Sequence, residues 1–233
     1  MFFRSVLYNI FYVLWCAFCF VFFVPSLFSF KTAQAFSSFW AEGLTWGFVT
    51  IVGVKIEFEG RENFEGDEGC VLASKHQSAF ETFYFLTLKD AAFVYKKELG
   101  YIPFFGLYHK ALRNIAVDRK AGAKALKMVL KGVKERVSEG RKVVIFPEGT
   151  RVLPEAREEY KPAIYAIYKE EDTKIVPIAL NSGELWQKNS FLKESGVVKI
   201  KAFPAMKKSL GKKEFFEKLR ESLDYFEGKV GNN

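Results

Sequence analysis

Two stretches concentrate side chains able to do acid–base and anion chemistry. "SKHQSAFET" (Ser74–Thr82) holds His76 and Glu81, and "FPEGTR" (Phe146–Arg151) holds Glu148, Thr150 and Arg151 around the flexible Gly149. A carboxylate bonded to one nitrogen of a neutral imidazole fixes the tautomer, and the other nitrogen can then take a proton from a hydroxyl. On one continuous helix His76 and Glu81 would lie about 140° apart and could not meet. The pair therefore requires His76 in the turn before a helix and Glu81 in its first turn. Ser78 then stands as the N-cap and Glu81 three residues on. That is equally a capping box, in which Glu81 only bonds to backbone N–H. One carboxylate has oxygens enough for both roles.

The second stretch follows the apolar run "KVVIF", which reads as a strand. Its end exposes Glu148, Gly149 and Thr150 at a sheet edge, where the sites of α/β proteins sit. The Arg151 guanidinium is a forked donor suited to phosphate oxygens. A surface turn with a local ion pair explains the same residues, and Pro147 followed by Gly149 predicts a turn in either case. His109 has no nearby acid and reads as structural or surface.

The elements that must position these residues alternate. "VKIEFEG" (54–60) has the period of a half-exposed strand. "CVLAS" (70–74), "AAFVY" (91–95), "KIVPIAL" (174–180) and "VVKIKAF" (197–203) read as further strands. "SAFETFYFLTL" reads as one helix of about three turns. The clearest helix spans 121–140, with Leu126, Val129, Leu130, Val133 and Val137 on one stripe and Gly140 as its stop. A last helix covers 212–228. This order predicts a two- or three-layer α/β domain built on one sheet.

With 49 % hydrophobic residues, 26 of them phenylalanine, the chain can build a packed core. Two histidines and three cysteines leave little for a metal site, and none is expected. Thirty-five basic against 27 acidic residues give a formal charge of +8, which suits an anionic partner. The chain shows no nucleic-acid recognition element, so a phospholipid surface is the expected partner and nucleic acid is not. From Ser5 to Phe30 no residue is charged, enough length for a helix to cross the hydrocarbon of a bilayer, and Pro25 should end or kink it. A weaker apolar segment, 35–54, carries two tryptophans suited to an interface. The triplet Ala33–Gln34–Ala35 also resembles a signal-peptide cleavage site, although the apolar run is longer than such peptides carry. The expected division is membrane-anchoring helices in 1–54, a catalytic domain in 55–228 and a tail in 229–233.

The ordered set His76-x4-Glu81, "NIAVDR" (Asn114–Arg119), "FPEGTR" and "IVPIALNSG" (Ile175–Gly183) resembles the glycerolipid acyltransferase family over roughly residues 50–225. The resemblance implies a mixed, mostly parallel sheet flanked by helices. It implies transfer of a fatty acyl group from acyl-CoA or acyl-carrier-protein to the free sn-2 hydroxyl of 1-acyl-sn-glycerol 3-phosphate (lysophosphatidate), with no bound cofactor. It gives His76 the role of general base in a direct attack and Glu81 that of orienting it. Arg119 and Arg151 would bind the acceptor phosphate, Glu148, Gly149 and Thr150 would shape the substrate site, and Pro177 would lie on the acyl-donor side. The implied location is the cytoplasmic face of a bacterial inner membrane. Other lysophospholipids, glycerol 3-phosphate or an amino-acid lipid are alternative acceptors. A non-catalytic membrane lipid-binding protein would need the arginines but not His76. Glu81 stands where the family usually has aspartate, which puts the reach of the carboxylate in question.

Overall fold

Seven strands join in one sheet in the computed structural model, which describes residues 1–227 except 67, 89, 103–104, 155 and 171–172. They are β1 (Val54–Glu59), β2 (Cys70–Ser74), β3 (Ala91–Lys96), β4 (Ile115–Val117), β5 (Lys142–Ile145), β6 (Ile175–Leu180) and β7 (Gly196–Ala202). Their spatial order is β1-β7-β6-β2-β5-β3-β4, parallel throughout except for the antiparallel pair β6–β7. The central strands β2, β5 and β6 are buried at every position, as continuous apolar runs must be when helices cover both faces. Edge strand β1 instead alternates.

Among the described residues eight α-helices flank the sheet: α1 (Phe2–Phe23), α2 (Phe30–Gly47), α3 (Phe80–Tyr84), α4 (Phe105–Ala111), α5 (Gly122–Ser138), α6 (Ala163–Tyr168), α7 (Ser182–Leu185) and α8 (Lys212–Leu223). Along β2 the side chains alternate between two cores. Leu72 belongs to the core that contains Tyr8, Leu44, Phe48 and Phe80, while Val71 and Ala73 belong to the one that contains Val129, Val133, Ile164 and Phe215. The N-terminal helices thus share a core with the sheet.

The expected three-turn helix after His76 is shorter. α3 tightens into a 3-10 turn at Phe85–Thr87, where the Leu86 carbonyl accepts from Ser38 and the Thr87 hydroxyl donates to the Tyr84 carbonyl. The three-residue β4, inside "NIAVDR", carries too little pattern to read as a strand. The last helix stops at Leu223, and Asp224–Glu227 form a turn. The expected tail lies outside the described residues.

Segment Phe2–Leu27, with an 18-residue stretch of mean hydropathy 2.3, is long and apolar enough to cross a membrane. Pro25 opens a 3-10 turn at its end, and α2 begins at Phe30 behind a Ser29 cap, earlier than the expected 35. Phe3, Leu7, Ile10, Leu14, Phe18 and Val21 form an exposed stripe at helical spacing. The polar side chains of α1 all turn to protein: Arg4 donates to the Val52 carbonyl, Tyr8 to the Leu44 carbonyl and Asn9 to the Phe191 carbonyl, while Ser5 bonds to the backbone of Lys193. One face of α1 is therefore docked and the other is bare hydrocarbon.

Candidate active site

The sheet order explains how distant residues meet. β2 lies between β6 and β5 and runs parallel to both, so the chain leaving all three strands emerges at the same edge. His76 follows β2, Phe146–Arg151 follow β5, and Ser182 follows β6.

His76 Nδ1 lies 3.0 Å from Glu81 Oε1. An ionised carboxylate only accepts, so this contact requires the proton on Nδ1, and in the neutral ring Nε2 is then the nitrogen with the free lone pair. Nε2 has no hydrogen-bond partner among the described residues, and His76 lines a cavity of about 1050 Å³. Glu81 is fully buried in the first turn of α3. Its Oε1 also accepts from the N–H groups of Gln77 (2.5 Å) and Ser78 (2.6 Å), and its Oε2 accepts from the Ser182 hydroxyl at 2.7 Å. Ser78 Oγ in return accepts from the Phe80 N–H. Ser78 is not the N-cap that the spacing predicts: Ala79 takes that place with no side-chain cap, and only the half of the box in which Glu81 holds the Ser78 N–H forms. The same carboxylate meets the base, and glutamate in place of aspartate reaches Nδ1 directly.

The turn after β5 holds His76 on three sides. Glu148 Oε2 accepts the His76 N–H at 3.0 Å, the Val152 N–H donates to the His76 carbonyl at 2.7 Å, and the imidazole stacks on Phe146 with centroids 3.9 Å apart. Glu148 was expected to shape the substrate site; it is instead buried beneath the base. Burial pushes its carboxyl up to about 7, against the opposing pull of the Lys75 ammonium and the His76 N–H. A carboxyl whose folded pKa is raised stabilises the fold fully below its ordinary range and loses that contribution as pH rises through about 7. Glu148→Gln keeps an acceptor for His76 but cannot ionise. Thermal melts from pH 5 to 9 should show this variant gaining on the wild type as pH rises, and parallel curves would contradict the assignment.

Gly149 takes a left-handed φ of 72°, a conformation that glycine alone adopts freely, and it lines the cavity. Arg119, just beyond β4, lines it too, but Arg151 does not. The chain turns away when Val152 bonds to His76; the Arg151 carbonyl accepts from Lys188 and its charge acts on Tyr12 of α1. Thr150 is exposed. Pro177 is buried inside β6, outside the cavity lining, with its carbonyl accepting from Phe203 just past the end of the β6–β7 ladder. Two further cations join Arg119 in the wall, Lys96 at the end of β3 and Lys161, whose backbone N–H bonds to the Pro147 carbonyl. Lys161, Ser182, Phe146 and Lys75 escaped the sequence reading. Phe146 and Ser182 lay inside quoted motifs, and Lys75 beside His76, but nothing in their order showed what they touch. His109 stacks on Tyr95 and bonds to Asn114, and burial lowers its pKa to about 4; it also lines the cavity, with no acid bonded to its ring.

The rest of the cavity wall is mostly apolar. Cys19, Phe20 and Phe23 of α1 and Phe36 and Trp40 of α2 form one side of it. A proton acceptor, the three cations Lys96, Arg119 and Lys161, and a long apolar wall in one cavity suit an amphiphile with an anionic head.

Comparison with known proteins agrees. A family model described as Acyltransferase matches residues 55–181. The chain is 34 % identical over 210 residues to the 1-acyl-sn-glycerol-3-phosphate acyltransferase of Pseudomonas aeruginosa, covering 87 % of this chain and 80 % of that one. It is 35 % identical over 107 residues to the Helicobacter pylori protein of the same name, covering 45 % and 43 %. Its fold matches the crystal structure of the 1-acyl-sn-glycerophosphate (LPA) acyltransferase PlsC from Thermotoga maritima with a TM-score of 0.76, over 99 % of this chain and 98 % of that one, at 20 % identity. The chain belongs to the acyltransferase family.

Proposed function

We propose that this chain transfers a fatty acyl group from an acyl thioester to the free sn-2 hydroxyl of 1-acyl-sn-glycerol 3-phosphate, giving phosphatidate. The observation that carries this reading is the His76–Glu81 pair opening onto an apolar cavity that also holds Arg119 and Lys161. His76 Nε2 takes the hydroxyl proton as the oxygen attacks the thioester carbonyl. The C–S bond then breaks, and the thiolate leaves with the proton from the imidazolium. Glu81 stabilises that imidazolium, and because the acceptor oxygen attacks the thioester directly no acyl-enzyme forms. The names of the Pseudomonas and Helicobacter relatives support the acceptor.

Arg119 and Lys161 grip the acceptor phosphate, and Arg151 adds positive potential on the α1 side. Pro177 braces β6 behind the acyl-donor side. The exposed stripe of α1 lies in the bilayer interface, and the α1–α2 wall lets an acyl chain pass from lipid into the cavity without crossing water. The +8 charge favours the anionic cytoplasmic face of a bacterial inner membrane, where acyl-CoA or acyl-carrier-protein supplies the thioester.

Arg119→Ala and Lys161→Ala should each raise the KM for lysophosphatidate about 10- to 100-fold, the range of a hydrogen bond to a charged group, with a smaller change in the KM for the thioester. Steady-state kinetics with each substrate varied in turn checks this. Unchanged acceptor KM in both variants would remove the phosphate from this part of the cavity.

A further inference from the structure

Lys75 directly precedes the base, yet its side chain is turned inward and only 3 % exposed. Its Nζ lies 2.5 Å from Asp224 Oδ1, 2.7 Å from Glu227 Oε1 and 3.6 Å from Glu148 Oε1. Two of these carboxylates stand in the turn beyond α8, which sequence order marks only as the end of the last helix. The third is the residue that holds the His76 N–H. Gln77, on the other side of the base, also reaches this turn, donating to Glu227 Oε1 at 3.4 Å while its own side-chain oxygen accepts from the Gly183 N–H.

We propose that Lys75 is a positioning residue for His76, and that the turn Asp224–Glu227 is a working part of the active site because it holds Lys75 in place. This rests on the reading of His76 as the base. Burial works against the Lys75 charge, but the carboxylates of Asp224, Glu227 and Glu148 outweigh it and hold its pKa above the ordinary value. Stability alone does not account for such a cluster, since a buried ion pair is often no more stable than apolar residues of the same volume. Its geometry has a specific effect. Lys75 engages one oxygen of Glu148, which fixes the carboxylate plane and aims the other oxygen at the His76 N–H. Without Lys75, Glu148 faces the carboxylates of Glu81 and Glu227 and the nearby Tyr160 hydroxyl in a buried space, with Asp224 also beside Tyr160 and Arg220 further out over its ring. The carboxyl is then free to rotate, and the backbone that carries the imidazole is no longer pinned.

The test removes Lys75 together with the two acids of the turn, which leaves only Glu148, a carboxyl that burial already pushes up to about 7 and that can lose its charge by taking a proton. Lys75→Met alone strands three acids and risks the fold, so the decisive variant is Lys75→Met/Asp224→Asn/Glu227→Gln, with Lys75→Arg as the conservative control. The triple variant should melt near the wild type but show kcat about 10²-fold lower, the cost of a misplacement of about 1 Å. The KM for lysophosphatidate should be unchanged, and Lys75→Arg should recover much of the rate. A folded triple variant with wild-type kcat would overturn the proposal. A second readout does not depend on turnover. The chain has only two histidines, so 15N spectra of their rings separate His76 from His109. The wild type should show His76 protonated at Nδ1, and the triple variant a mixture of tautomers. If the wild type turns over no lysophosphatidate, the acceptor assignment fails. The ring spectra then still decide: identical His76 signals in the two proteins overturn the positioning role.

Discussion

His76→Ala should lower kcat/KM for acyl transfer by about 10³- to 10⁴-fold, the upper part of the range for a positioned general base. The expectation is at that end because nothing stands ready to replace the imidazole. Glu81 is buried and already accepts four hydrogen bonds, and Glu148 faces the His76 N–H. Binding should survive, because Arg119, Lys161 and the apolar wall are untouched. The KM for the acceptor should therefore move little while kcat collapses. The variant should also stay folded: His76 is held by its backbone through Glu148 and Val152, and only its ring packs on Phe146. Steady-state kinetics beside a thermal melt measures both. An alanine variant within tenfold of the wild type would mean another group takes the proton.

Glu81→Gln comes next in size. Its amide oxygen can take the place of Oε1 and keep the Gln77 and Ser78 N–H groups paired, while its NH2 faces a Ser182 hydroxyl able to accept. The fold is therefore retained, and what is lost is the negative charge that stabilises the imidazolium. A fall in kcat of about 10²-fold is expected, near the upper end of what a hydrogen bond to a charged group contributes. Glu81→Ala should differ in kind. It leaves buried backbone donors without a partner, at about 1–3 kcal/mol each, so the melting temperature should fall along with the rate. If glutamine and alanine lose equal activity and equal stability, Glu81 is a cap and not a partner of the base.

Much of this was readable from residue order. β2, β5 and β6 announce themselves because strands buried on both faces must be continuously apolar. The helix at Gly122–Ser138 shows its stripe, and the His76–Glu81 spacing by itself demands a turn before a helix. What sequence does not carry is adjacency in the sheet. The placement of β5 beside β2 turns Glu148 from a residue facing substrate into an anchor beneath His76, and nothing local to "FPEGTR" reveals a partner 72 positions away. The same limit hid Lys161 behind the more conspicuous Arg151. The backbone bond from Val152 to His76 carries the chain away from the cavity, whereas the bond from Lys161 to Pro147 brings a later cation back. The shortening of α3 was hidden too, because Ser38, which holds the Leu86 carbonyl, belongs to α2.

The most direct test of the account is a single assay. Purified protein in detergent is given lysophosphatidate and a radiolabelled acyl thioester, either acyl-CoA or acyl-carrier-protein, and lipid and protein are separated after partial turnover. The account predicts labelled phosphatidate bearing the new chain at sn-2, no label on the protein, and loss of the product in folded His76→Ala. Label held covalently by the protein, or product made equally well by the alanine variant, would contradict direct attack driven by His76.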